Sequence, residues 1–486
     1  MTVPTPLPQP LLPLHAEGIS LETVGGKALN LAKLARAGFP VPNGFFIPTS
    51  CYLDFVTQND LGPWIEVILG RMDSRSPGEL NAASAEIRAK FKKGGLPEGL
   101  KSALVIGWRW LGAHPVAVRS SATAEDLQEL SFAGLQDTYL NIIGDQALQE
   151  EVLDCWSSLW TGRAIGYRAR NQIPHGEVSL CVVVQNMVEA QASGVLFSAN
   201  PLTGRRDEMV IDATFGLGEA LVSGQVEPDH YIVAADFSIA HKSLGEKSTR
   251  IDGKQGGGVS TQETESGDQQ ALPDEAILAL AKMGRKIADL YKFPQDVEWA
   301  YLPDPAAGDR VEGSLHILQS RAITSLFPLP EGMEPEPLKI MFGFHIVQGI
   351  VEPLTPLGQD TMKLVLTGGG RVFKLKETLA TQTAFYTAAE RLWINMASPL
   401  RSAIGYKVIP QIIRSIGPGV AKAFKEITQD PRFPAVHKRP SLRTLGRAAG
   451  FLLPFFVRVG STLHSPDRRR EEISNAFDEK IKATQT

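Results

Sequence analysis

The chain has 486 residues, 43% hydrophobic and 21% charged, with 49 basic against 53 acidic residues and a net charge of −4. That length exceeds one ordinary core, since domains run to about 100–200 residues, and the apolar fraction excludes a wholly disordered chain. The near-balance of charge excludes a global basic field for nucleic acid, and three cysteines (Cys51, Cys155, Cys181) exclude a dense disulfide framework and fit a reducing compartment.

Residues 1–20 read as an irregular lead rich in proline, with no basic segment ahead of an apolar helix, so no secretory signal is expected. The apolar stretch Phe451–Val457 contains Pro454 and is too short to span a bilayer. The expected location is the cytoplasm, with no membrane partner. From Lys27 to Ala37 the apolar residues follow helical spacing and Gly38 stands where a helix would stop. Val41–Ile47 reads as a strand, and Thr49 or Ser50 as the cap of a second helix. Residues 75–112 are helical in pattern, broken at Gly94-Gly95. Strand-like runs follow at Val116–Ser121, Asp137–Ile142, Leu180–Val188, Gly194–Phe197, Met209–Thr214 and His230–Ala234, with a helix through Leu148–Leu159. The segment Gly253–Asp268, rich in Gly, Gln, Ser and Thr, is expected to be a flexible loop. A helix over Asp274–Tyr291 precedes two short strands, Asp296–Tyr301 and Leu315–Ala322. The proline-rich stretch 327–337 is expected to link a first domain, 1–326, to a second, 338–486, mostly helical in pattern beyond residue 360. Between Arg401 and Glu472, 14 Lys/Arg stand against 5 Asp/Glu, which suits solvated helical faces or a local basic surface.

Four clusters along this path carry chemistry. Gly25-Gly26-Lys27 opens a helix, where backbone amides and a mobile cation suit phosphate; a plain surface turn has the same composition. Val116–Ser121 ends in Arg119 and a run of small hydroxyl residues, with Gly134 and Thr138 following. The arginine offers a planar fork for phosphate oxygens, although a polar hairpin loop reads alike. Val182–Val188 is a buried strand by pattern, and such a strand can line an adenine slot or simply fill a core. Finally, Asp296, Glu298 and Ala300 share one strand face, and Gln319 and Arg321 share a face on the next strand. A carboxylate and an amide oxygen on adjacent strands suit Mg2+ against a triphosphate, and a surface cross-strand ion pair is the alternative.

The blocks GGKALNLAKLARAGFPVPNGF, AVRSSATAEDL with SFAGLQDTYLN, VVVQNMV with SGVLFSANPLTG, GLGEALVSGQVEPD, QDVEWAY and LHILQSRAIT occur in one order. Together, over about Gly18–Thr324, they resemble the ATP-binding domain of the phosphoenolpyruvate synthase / pyruvate phosphate dikinase family. The resemblance implies an α+β, ATP-grasp architecture, two lobes clamping ATP. It implies that Lys27, Arg119, Ser120, Ser121, Thr123, Gly134 and Thr138 engage the phosphates, and that Gln185, Met187 and Val188 line the adenine slot. Glu298 and Gln319 would hold Mg2+, and Arg321 would lie beside the phosphates, with Lys27, Arg119 and Arg321 acting in catalysis. Two positions depart from the family: Ala322, where proline is usual, and Asn186, where a basic residue is common.

The resemblance implies that ATP pyrophosphorylates a histidine on a mobile swivelling domain, releasing AMP, and that the histidine then carries phosphate to a small-molecule acceptor at a separate site. None of the nine histidines stands in the Gly-rich Thr/Ser-His-x-x-x-x-Arg context of that domain. Residues 342–486, through Phe342-Gly343, Val347–Gly358 and Arg391–Asn395, resemble the start of the helical acceptor domain of rifampicin phosphotransferase-like members. The expectation is therefore an incomplete acceptor-type second domain and a histidine supplied by a separate chain. The alternative is a non-catalytic ATP-binding remnant or regulatory module.

Overall fold

The computed structural model describes residues 6–123, 138–303 and 315–326, together with a subset between 329 and 433. The chain divides into two compact units, Met1–Leu326 and Phe327–Thr486.

The first unit is built on two sheets. β1 (Leu12–Pro13), β2 (Gly44–Ile47), β3 (Val116–Ala122), β4 (Thr138–Ile142) and β5 (Leu180–Asn186) make a five-stranded antiparallel sheet in the order β1-β2-β5-β3-β4. β6 (Ala192–Phe197), β7 (Met209–Phe215), β8 (Asp229–Val233), β9 (Ile239–Ser243), β12 (Gln295–Tyr301) and β13 (Leu315–Ala322) make a second, ordered β13-β12-β6-β7-β8-β9. Between β9 and β12 lie the hairpin β10 (Thr249–Gly253) and β11 (Val259–Glu263).

Alternation assigns the faces. In β3, Val116, Val118 and Ala122 enter a core shared with the helices α2 (Thr49–Gln58), α3 (Leu61–Leu69), α4 (Pro77–Lys93), α5 (Glu98–Trp110) and α6 (Asp145–Ser157). The opposite face of the same sheet carries Phe46, Cys181 and Val183, packed on Val24, Ala28, Leu31 and Ala32 of α1 (Leu21–Arg36). Leu34, elsewhere on α1, belongs to the core under the second sheet, with Leu196, Ile211, Trp299 and Ile317. That core also holds the inner face of the long helix Asp274–Tyr291, where Ile277, Leu280 and Ile287 are buried. The Tyr291 hydroxyl donates to the Asn30 carbonyl at 2.8 Å, so α1 is fastened between both sheets.

The structure departs from the sequence reading at several points. The helix expected from Lys27 begins at Leu21 and is interrupted at Gly25 (φ 72°, ψ 173°), so the Gly-Gly-Lys segment is a kink within it. Thr49 does not cap α2; its hydroxyl donates to the Glu22 carbonyl at 2.7 Å. The segment Gly253–Asp268 is not a featureless loop. Gly253 ends β10 and Val259–Glu263 forms β11, and the Asn141 amide nitrogen donates to the carbonyls of Lys254 (2.8 Å) and Gly258 (2.6 Å), pinning the hairpin turn to β4. Among its described residues the second unit, expected to be mostly helical, also holds strands. Beside a helix over Pro356–Val372, strands Met341–Gly343, Phe385–Ala388 and Arg391–Asn395 form a three-stranded antiparallel sheet. Phe385, Tyr386, Leu392, Trp393 and Ile394 are aromatic or branched residues that favour strands, and Glu390 takes the positive φ the turn requires.

Candidate functional site

The kink in α1 meets the end of β3. The Gly25 Cα lies so close to the Ser121 carbonyl and hydroxyl that any Cβ would collide with them. The Ser121 hydroxyl accepts a hydrogen bond from the Ala28 amide at 3.0 Å. Sequence reading gave Gly25-Gly26-Lys27 and Arg119–Ser121 as separate clusters, 93 residues apart at the Ala28–Ser121 contact, and the fold joins them. Lys27 is half-buried beside that joint.

Arg119 lies on the face of β3 that looks toward α1, between Thr138 on β4 and Val183 on β5. It reaches the second sheet. Its guanidinium forms an ion pair with the Glu298 carboxylate at 3.5 Å and donates to the Leu318 carbonyl at 3.4 Å. Its Nε is buried and makes no hydrogen bond. A buried guanidinium nitrogen without an acceptor is costly, and an anion's oxygen would satisfy it.

On the facing sheet, Glu298 pairs directly with Gln319 and Asp296 with Arg321. The Arg321 guanidinium holds the Asp296 carboxylate at 2.7–2.8 Å through two nitrogens. Burial raises the pKa of Asp296 even so, and Arg321 opposes that shift. A β-bulge lies here: Glu298 faces Gln319 while Trp299 faces Ile317. The extra residue is Leu318, so Leu318 and Gln319 both turn to the site face.

Leu318 continues the site into an apolar patch. Met187, Val188, Leu140, Leu217, Ile251, Ala300 and Leu318 pack together where the ends of the two sheets approach. Met187 lies just past β5, its amide bonded to the Pro115 carbonyl at 2.9 Å. Gln185 is buried on the Arg119 face, and its amide donates to the Pro42 carbonyl at 3.1 Å. One line across the site therefore runs from an apolar end to a charged end holding Arg119, Glu298 and Gln319.

The remaining hydroxyls are placed differently. Ser120 shares the pleat of Val118 and Ala122 and faces the helical core, away from Arg119. The Thr123 hydroxyl accepts from the Ser179 amide at 3.2 Å. Gly134 lies outside the described residues. Leu140 and Leu318 were not singled out from sequence, and Ala300 was placed on the Asp296–Glu298 face without a role. Leu140 and Ala300 lie in short strands where alternation was visible, but the bulge that turns Leu318 leaves no mark in a single sequence.

The donor set fits a hard divalent cation accompanied by phosphate oxygens. Glu298 and Gln319 offer one carboxylate and one amide oxygen side by side, too few to cage an ion alone but enough for Mg2+ bound through a nucleotide. Among the described residues no cluster of three or more His, Cys, Asp or Glu could hold a metal.

Residues 21–336 match the family described as pyruvate phosphate dikinase, AMP/ATP-binding domain, and the chain belongs to that family. It is an ATP-binding-domain protein by that membership. Among curated proteins it is 40% identical over 377 residues to a rifampicin phosphotransferase of Bacillus subtilis, covering 75% of this chain and 42% of that protein. It is 39% identical over 325 residues to a probable phosphoenolpyruvate synthase of Methanothermobacter thermautotrophicus (65% and 46%), and 37% identical over 357 residues to a phosphoenolpyruvate synthase of Pyrococcus furiosus (62% and 42%). The first of these matches is longer than the first unit, so the likeness runs into the second. The chain spans less than half the length of these relatives.

Proposed function

We propose that the first unit is an ATP-grasp nucleotide site, its two sheets acting as lobes that hold Mg·ATP, and that it serves a phosphotransferase of the phosphoenolpyruvate synthase type. The observation that carries this reading is Arg119, which leaves the first sheet to meet Glu298 and Leu318 of the second while keeping a buried nitrogen without an acceptor. Lys27, Arg119, Gly134, Thr138 and Arg321 bind and orient the phosphates. Ser121 acts through the α1 kink that it braces, and Ser120 and Thr123 support the strand end. Gln185, Met187 and Val188 receive the adenine, with Leu140, Ala300 and Leu318 completing the apolar slot. Glu298 and Gln319 hold Mg2+, which neutralises triphosphate charge when bound. The β,γ-pyrophosphoryl group of ATP passes to a histidine presented by a separate domain or chain, with AMP released; water then takes the γ-phosphate as inorganic phosphate, and the β-phosphoryl group left on the histidine goes on to a small-molecule acceptor. Residues 338–486 form an acceptor-type domain. The setting is cytoplasmic, a reading that the three free, buried cysteines support; among the described residues no helix is long and apolar enough to cross a membrane.

The test is a label experiment with [β-32P]ATP and a separately expressed phosphohistidine domain of this family. Acid-labile label retained on that domain, together with AMP, is the expected outcome. ATP binding without transfer would instead favour a regulatory remnant, and absence of ATP binding would reject the reading altogether.

A further inference from the structure

Resting on that reading, we propose that Arg119 and Glu298 form a lock that couples nucleotide to metal: without nucleotide the arginine engages the metal-ligand carboxylate, and a triphosphate opens it. Three observations converge. The ion pair joins the phosphate-side arginine to the metal-side carboxylate across two sheets, both side chains being mostly buried (16% and 29% exposed). The second anchor of Arg119, the Leu318 carbonyl, belongs to the bulge residue next to Gln319, so the arginine is held beside both proposed oxygen ligands. The Nε is buried and lacks an acceptor, so the arrangement is incomplete for the arginine and a phosphate oxygen satisfies it better than the carboxylate does.

The consequence is a linkage. A free divalent cation must compete with a guanidinium for Glu298, whereas ATP withdraws the guanidinium and frees the carboxylate in the same event. By thermodynamic reciprocity the nucleotide must raise metal affinity by the factor by which metal raises nucleotide affinity, and couplings between sites run from about 5- to 150-fold. The site thereby takes the metal–nucleotide complex in preference to either component and does not fill with Mg2+ alone.

The experiment uses Mn2+ as a probe in nucleotide-free protein, followed by water-proton relaxation, on the full chain. Arg119→Met is expected to bind Mn2+ about tenfold more tightly than the unaltered protein, and Arg119→Met/Glu298→Gln to lose that gain. Arg119→Lys, which keeps the charge but loses the planar fork, is expected to fall between the two. Far-ultraviolet circular dichroism and thermal melts identify any variant that fails to fold, and Arg119→Lys then carries the comparison. Unchanged or weaker Mn2+ binding in Arg119→Met, or a gain that survives the Glu298 change, overturns the lock. Neither measurement involves ATP, so failure of the lock is separable from failure of the nucleotide site, which direct ATP titration of the unaltered protein decides.

Discussion

Asp229–Lys247 and Arg119–Glu298 are both ion pairs within the first unit, the one local to neighbouring strands and the other between its two sheets, and they are built to opposite specifications. Asp229 and Lys247 are fully buried. The Asp229 carboxylate accepts from the Lys247 ammonium (2.5 Å), the Gly245 amide (3.0 Å), the Tyr231 hydroxyl (2.9 Å) and the Ala271 amide (2.8 Å). Lys247 donates in addition to the Gly245 carbonyl at 2.7 Å. Four donors close on one carboxylate, and that pair fixes the outer strands of the second sheet. The Arg119–Glu298 pair is longer, partly exposed and leaves one nitrogen unmatched. A charge whose hydrogen bonds are all supplied by the fold is scaffold, and one whose bonds are only partly supplied is poised for a ligand.

Breaking the finished pair gives the largest effect. Asp229→Ala leaves the Lys247 charge buried without its partner and is expected to cost about 3–5 kcal/mol in urea unfolding, with Asp229→Ala/Lys247→Met recovering part of it. A loss below about 1 kcal/mol would erase the contrast. Arg119→Ala should leave the melting temperature within a few degrees yet weaken ATP binding about 100-fold or more, since each charge-assisted hydrogen bond contributes about 1.5–3 kcal/mol. Calorimetric titration checks this, and equal ATP affinity in both proteins would mean that the unfinished pair is scaffold too.

Gly25→Ala sharpens the comparison at the joint that supports Lys27. Its φ of 72° and the Ser121 carbonyl both oppose a side chain. A loss of about 2 kcal/mol is expected, together with weaker ATP binding, because the β3 end must shift. The smallest effect concerns the buried cation outside the site, Arg168. Its Nε donates to His175 Nδ1 at 2.9 Å. Burial and then the Arg168 charge push the imidazole down to about 4 from its ordinary 6.5. Its pKa in the folded state lies below that of the unfolded chain, so the fold favours neutral imidazole. That contribution is whole above pH 6.5 and is lost as the pH falls toward 4. Thermal melts across this window should steepen with acid in the unaltered protein and flatten in His175→Asn.

Strands β3, β12 and β13 and the helix Asp274–Tyr291 were legible in the sequence to within a residue or so, because hydrophobic alternation and helical spacing are local properties. The Glu298–Gln319 and Asp296–Arg321 pairs were legible for the same reason: two short strands close in sequence pair with each other. The family was legible from the order of its blocks, which the match over residues 21–336 bears out. Sequence alone therefore determined the family and which residues share each strand face. Only the tertiary structure decided that Arg119 faces Glu298 while Ser120 turns away, that Leu318 joins Gln319 through a bulge, and that Asn141 pins the turn of a hairpin in a Gly-rich segment. Each of these depends on backbone hydrogen bonds and close contacts between segments from 113 to 199 residues apart, or on a one-residue shift in register, and neither leaves a periodic trace along the chain.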